Sequence, residues 1–127
     1  MSGMQFRVCY DVPDFDATAG FYEGVLGLEC VAGWDRPTGK GALFSAGGHA
    51  VVEVLAAAAG EAPFDAPPRD SFSIMIEVDD VDARRAAIAG KAGAEPTPVV
   101  DKPWNRSFSV RDPDGVEIFF FVPQPGE

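Results

Sequence analysis

Polar and apolar residues alternate from Gln5 to Val12 and again from Ser71 to Val78. Phe6, Val8 and Tyr10 share one face of the first stretch, and Phe72, Ile74 and Ile76 share one face of the second. A period of two predicts a strand in each place. The period then lengthens. Phe15, Ala19, Tyr22 and Leu26 fall near helical spacing, and Val81, Arg85, Ile88 and Ala92 do the same with a weaker apolar stripe. Asp14 and Asp80 stand where a helix needs an N-cap, and Gly27 and Gly93 where a helix ends. Short strands are expected over Cys30 to Trp34 and Pro96 to Val100. Hairpins should then pair Gly41 to Ala46 with Ala50 to Leu55, and Arg106 to Arg111 with Val116 to Val122. Asp112-Pro113-Asp114-Gly115 supplies turn chemistry for the second hairpin.

The two series of elements are one series repeated. At an offset of 66, Phe6, Val12, Asp14, Asp16 and Ala17 return as Phe72, Val78, Asp80, Asp82 and Ala83. Gly24, Gly27 and Glu29 return as Gly90, Gly93 and Glu95, and Asp35 and Pro37 as Asp101 and Pro103, with no gap. The reading is one α+β domain over residues 1–127, made of two tandem β-α-β-β-β units at about 4–55 and 71–122. An Ala- and Pro-rich linker joins them over 56–70, with a short helix expected at 56–59.

Length suits a single domain with one modest core. No apolar run approaches the roughly 20 residues of a membrane span, and the N-terminus lacks the apolar stretch of a signal peptide. A cytoplasmic protein without a membrane partner is expected, with Cys9 and Cys30 reduced; they fit no metal or redox spacing. The net charge of −10 argues against a nucleic-acid partner and would favour a cationic ligand, although solubility alone accounts for it.

Phe21-Tyr22-x-x-Val25-Leu26-Gly27-Leu28-Glu29, Glu77-Val78-Asp79-Asp80-Val81-Asp82-Ala83 and the closing segment from Pro103-Trp104-Asn105-Arg106 through Asp112-Pro113-Asp114-Gly115 resemble the glyoxalase / bleomycin-resistance / extradiol-dioxygenase (vicinal oxygen chelate) superfamily. The resemblance covers nearly the whole chain. It implies paired modules forming a cupped mixed sheet, assembled as a homodimer. The linker would then pass near the rim of the cup, which would bring Phe64 within reach of a ligand.

Many enzymes of that superfamily hold a divalent metal on four equivalent strand positions. Those positions map here to Arg7, Glu53, Ser73 and Phe119. Arginine cannot ligate a metal, phenylalanine has no donor, and serine is a poor ligand. Glu53 alone cannot supply the three protein ligands that zinc needs. His49, the sole histidine, would lie roughly 13 Å along the strand from Glu53 at 3.3 Å per residue, so it reads as a turn residue. No metal and no cofactor are expected.

The cup-facing positions would be Gln5, Arg7 and Cys9; Val51, Glu53 and Leu55; Ser71, Ser73 and Met75; and Glu117, Phe119 and Phe121. Trp34 and Trp104 would join them near the rim, with Phe108 if its strand has the right phase. From these, Arg7, Cys9, Trp34, Val51, Glu53, Ser73, Met75, Trp104, Phe108, Phe119 and Phe121 form the expected ligand-binding set. Aromatic faces with a few polar groups are the usual lining of a small-molecule pocket. Arg7 and Glu53 should pair across the cup, either to orient a polar edge of the ligand or only to neutralise each other. Phe6, Tyr10, Ile118 and Phe120 should face the helices instead.

Two classes of function compete. The first is stoichiometric capture of a large aromatic natural product such as an antibiotic, with no catalytic residue, as in the metal-free members of the superfamily. The alternative is a glyoxalase-like lyase or isomerase, or a dioxygenase-type enzyme, using Glu53 as base or lone metal ligand. An arginine facing that carboxylate weakens the second reading, because a base needs a tuned pKa and a partner. A protein-partner module with an empty cup is a third possibility.

Overall fold

The structure, a computed structural model, describes residues 6–48, 50–56 and 72–124. The chain divides into two compact units, Met1–Pro67 and Pro68–Glu127. In the first, strand β1 (Phe6–Asp11) leads to helix α1 (Phe15–Gly20) and then to β2 (Cys30–Arg36), β3 (Gly39–Ser45) and β4 (Ala50–Ala56). The second runs β5 (Ser73–Glu77), α2 (Val81–Ala89), β6 (Val100–Asp101), β7 (Asn105–Arg111) and β8 (Glu117–Pro123). The sheets have the orders β1-β4-β3-β2 and β5-β8-β7-β6. In each, the first and last strands pair in parallel and the other pairs are antiparallel. This is the α+β fold of two β-α-β-β-β modules.

The repeat offset carries over into the register. Arg7 lies opposite Val51 as Ser73 lies opposite Glu117. Leu43 lies opposite Glu53 as Ser109 lies opposite Phe119. Both helices start on the predicted caps. The Asp14 carboxylate accepts from the Ala17 N–H at 3.1 Å and that of Asp80 from the Ala83 N–H at 3.0 Å, each satisfying one donor that a helix start leaves orphaned. Gly27 and Gly93, with φ of 74° and 82°, take the left-handed conformation just past the helices. In the closing turn, Asp112 Oδ1 accepts from the N–H groups of Asp114 and Val116.

Helix α1 departs from regular spacing. Over Phe21–Val25 it widens into a π turn, in which the Leu26 N–H bonds to the Phe21 carbonyl at 2.9 Å. The adjacent Phe21 and Tyr22 are both buried within this wider turn. The strand expected over Pro96 to Val100 shrinks to Val100–Asp101. Pro96 and Pro98 have no N–H to donate to a ladder. The stretch is held instead by Arg85, which donates to the carbonyls of Pro96 and Thr97.

The units fill their cores by exchange. In the first, Tyr22 stacks on Phe44 at 5.8 Å between ring centres, and its hydroxyl meets that of Tyr10. The corresponding positions of the second unit are Ile88, Val110 and Ile76. That smaller set is offset by Phe108 and Phe120, stacked at 5.4 Å, where the first unit has Ala42 and Val54. Conserved total volume with redistributed aromatics is how cores tolerate divergence.

Outside each core the repeat keeps an ionic clamp. Lys40 on β3 lies 3.4 Å from Asp16 of α1 and 4.0 Å from Asp35 of β2. Arg106 on β7 lies 2.9 Å from Asp82 of α2 and 2.6 Å from Asp101 of β6. Hydrogen bonds to Asp101 and Asp82 push the Arg106 pKa above its ordinary value.

Two expected placements change. Phe108 lies directly opposite Phe120, on the helix side of β7, and is 1% exposed, so it belongs to the core and leaves the binding set. Phe6, expected to face a helix, opens edge strand β1 and is 66% exposed. Gln5, His49, Phe64, Ser71 and residues 57–59 of the expected linker helix lie outside the described residues, while Ala56 closes β4. We expect Phe108→Ala to destabilise the protein by about 3–5 kcal/mol, the cost of emptying a buried aromatic site. Trp104→Ala, at a side chain 58% exposed, should stay within about 0.5 kcal/mol of the parent. Denaturant titration of both variants checks the pair; a Phe108→Ala protein as stable as the parent would contradict the core placement.

Candidate functional site

Helix α1 covers the side of the first sheet that carries Tyr10 and Phe44. The opposite face is open to other use, and the parallel register places Arg7, Cys9, Val51, Glu53 and Leu55 on it. Arg7 Nη1 reaches diagonally across the ladder to Glu53 Oε1 at 3.0 Å. The Arg7 side chain is 44% exposed and that of Glu53 only 14%. With one partner so exposed, the pair contributes at most about 1 kcal/mol to stability. Its main effect is geometric: the carboxylate is held in one orientation. Beside it, burial and then the Glu53 carboxylate push the Cys9 thiol above its ordinary pKa, outweighing Arg7, which lowers it. Cys9 is therefore a protonated, weakly nucleophilic thiol at neutral pH.

Trp34 joins this face through β2, paired opposite Gly41. A Cβ on Gly41 would collide with the Trp34 indole and sit 3.0 Å from Leu55 Cδ2. The indole thus lies across the sheet because position 41 has no side chain. Gly41 was not among the expected site residues; the pairing of β2 with β3 gives it its role.

On the second sheet, α2 covers the side carrying Phe108 and Phe120, with the Arg84 guanidinium 5.6 Å from the Phe120 ring centre. The open face carries Ser73, Met75, Glu117, Phe119 and Phe121, with Met75 directly opposite Phe119. Met75 is 52% exposed. Trp104 stands in the bend before β7, with the Lys102 ammonium 5.7 Å from its ring centre. Next to Phe119, a hollow of about 290 Å³ is lined by Thr97, Ser109, Arg111, Glu117 and Glu95 among others. Ser109, 3% exposed, donates its hydroxyl to Glu117 Oε2 at 2.8 Å. The expected binding set therefore separates into one group on each sheet. Arg7, Cys9, Trp34, Val51 and Glu53 share the first, and Ser73, Met75, Phe119 and Phe121 share the second.

These sheets, with their duplicated register, match one family model over residues 6–120. The chain belongs to the Glyoxalase/Bleomycin resistance protein/Dioxygenase superfamily. Among solved structures of this fold is TnmS3, described as an antibiotic binding protein from Streptomyces sp. CB03234. It shares 21% identity with a TM-score of 0.75, covering 97% of this chain and 98% of that one. TioX from Micromonospora sp. ML1 shares 24% identity with a TM-score of 0.68 over 94% of this chain and 98% of its own. A glyoxylase/bleomycin resistance protein/dioxygenase domain from Frankia sp. EAN1pec shares 20% with a TM-score of 0.71, covering 98% and 99%. At these identities the likeness is one of fold. No curated protein matches the chain.

A divalent metal of the kind used by superfamily enzymes does not fit these residues. Of Arg7, Glu53, Ser73 and Phe119, Glu53 is the one strong donor, and a guanidinium already occupies it. Among the described residues, no three His, Cys, Asp or Glu side chains group as a metal site. Nor is any described helix long and apolar enough to cross a membrane.

The Cys9 environment gives a test of this geometry. In a Cys30→Ser background, alkylation of Cys9 should follow a pH profile whose midpoint lies above that of an ordinary thiol. Glu53→Gln removes the carboxylate that disfavours the thiolate, so the midpoint should move down and the rate at pH 8 should rise. An unchanged profile would separate Cys9 from Glu53.

Proposed function

We propose that this protein is a cytoplasmic, cofactor-free binding protein that captures a large planar aromatic natural product, an antibiotic in the fullest form of the reading, and releases it unchanged. The observation that carries the proposal is the Arg7–Glu53 pair. The one carboxylate retained at the superfamily's four ligand positions is held in one orientation by a guanidinium at 3.0 Å, an arrangement suited to reading a polar edge of a ligand. Each sheet by itself offers apolar surface suited to an aromatic ligand, the first through Trp34 and the second through Met75, Phe119 and Phe121. The description of TnmS3 as an antibiotic binding protein, in a chain of the same fold and nearly the same extent, supports the same reading.

Titration with bleomycin-, mitomycin- and anthraquinone-type compounds should quench tryptophan fluorescence saturably for at least one of them. Trp34→Ala should then weaken binding by about 1–3 kcal/mol, the scale of a packed aromatic anchor. Trp104→Ala should cost less, since its ring is more exposed. Mass spectrometry should recover the ligand intact; recovery of a product with turnover would make the protein an enzyme instead.

The exposed edge strands of each sheet and the superfamily resemblance support assembly as a homodimer. Light scattering at micromolar concentration should give the mass of two chains, and a monomer would refute this.

A further inference from the structure

The repeat provides an internal control for the hollow on the second sheet. At the offset of 66, the counterparts of Thr97, Ser109 and Glu117 are Val31, Leu43 and Val51. Leu43 and Val51 are buried. The first unit therefore fills those two positions with buried hydrocarbon, and carries an apolar side chain, 49% exposed, at the third, Val31. In the second unit all three have become polar together, and together they line one hollow of about 290 Å³. The change from Leu43 to Ser109 removes side-chain volume, and the change from Val51 to Glu117 puts a charge in the wall.

That wall is built and not left loose. Thr97 donates its N–H to the Ser109 carbonyl at 2.8 Å and accepts the Ser109 N–H on its own hydroxyl at 2.9 Å. Arg85 anchors the Thr97 carbonyl from α2 at 2.6 Å. The buried Ser109 hydroxyl fixes one oxygen of Glu117, and Arg111 approaches the other at 3.7 Å. Glu95 adds a second carboxylate, so the lining carries one more negative charge than positive.

We propose that this hollow is a binding site for a hydroxylated organic cation of amino-sugar size, its ammonium on Glu117 and its hydroxyls toward Thr97 and Ser109. An oriented carboxylate gives charge-assisted hydrogen bonds to an ammonium, which are the strong ones. Because Glu117 and Phe119 share one face of β8, the site suits a charged appendage of the aromatic ligand argued above. Only that connection rests on the binding reading; the hollow is tested by itself.

The experiment is a titration of the isotope-labelled full-length protein with D-glucosamine, and with D-glucose as the neutral comparison at matched ionic strength, followed by amide NMR. Glucosamine should move the amides of Thr97, Ser109 and Glu117 saturably, with the roughly millimolar affinity of a fragment of about a dozen non-hydrogen atoms. Glucose should bind about tenfold more weakly or less. Glu117→Gln, which keeps the shape and the hydrogen bond from Ser109, should bring glucosamine to the glucose level. Glu95→Gln, at an exposed position, should weaken it by a smaller factor and serves if Glu117→Gln does not fold. The proposal is overturned if glucosamine gives no saturable shift, if glucose binds equally, or if the foldable variants leave the affinity unchanged. Saturable shifts from glucosamine, with no aromatic compound quenching tryptophan, would uphold the hollow while removing the aromatic reading.

Discussion

The parallel pairing of the first and last strand in each unit is the constraint on which the other features rest. Parallel neighbours cannot be joined by a tight turn, so the chain must leave the sheet, form a helix and two more strands, and return to lie beside its start. That return fixes which face the helix covers. It also fixes which side chains occupy the other face, because a slip of one residue would turn every one of them over. Arg7 reaches Glu53 only because Arg7 stands opposite Val51 and Cys9 opposite Glu53. The same register in the second unit sets Met75 against Phe119 and leaves Ile74 and Ile76 to the core.

Much of this was legible in the chain because a gapless repeat doubles every local signal. Asp14 and Asp80 could be read as caps together where either alone would be ambiguous. The strand phases of β1 and β5 follow from alternation, and those of β4 and β8 from the superfamily resemblance together with the repeat offset. The place of Phe108 depends on the phase of its strand; the alternation Ser107-Phe108-Ser109-Val110 puts it with Val110, and the pairing with Phe120 on the neighbouring strand sets that face toward the helix. The π turn at Phe21 was hidden because the apolar spacing of α1 fits a regular helix equally well.

The repeat is as informative where it fails. Asp16, Lys40 and Asp35 recur in kind as Asp82, Arg106 and Asp101, and in both units they tie a helix to the sheet. Arg7 and Glu53 recur as Ser73 and Phe119, while Leu43 and Val51 recur as Ser109 and Glu117. Framework positions have thus kept their chemistry, while on the open face Glu53 gives way to Phe119, and Leu43 and Val51 to Ser109 and Glu117, with Arg7 to Ser73 losing only its charge. Arg7 and Glu53 of the first unit, and Ser109 and Glu117 of the second, make side-chain bonds that the residues at the corresponding positions of the other unit cannot make.

Gly41 shows how much an absent side chain can decide. The Trp34 indole rests where a methyl group at position 41 would stand, so the bottom of the open face in the first unit is aromatic and lies close against the backbone. Under the binding reading, a flat guest arriving there would meet an indole seated close to the backbone instead of a row of separate side-chain tips. Any larger residue at 41 would push that ring away from the backbone. How closely the indole can approach the sheet is set by one hydrogen atom on a neighbouring strand.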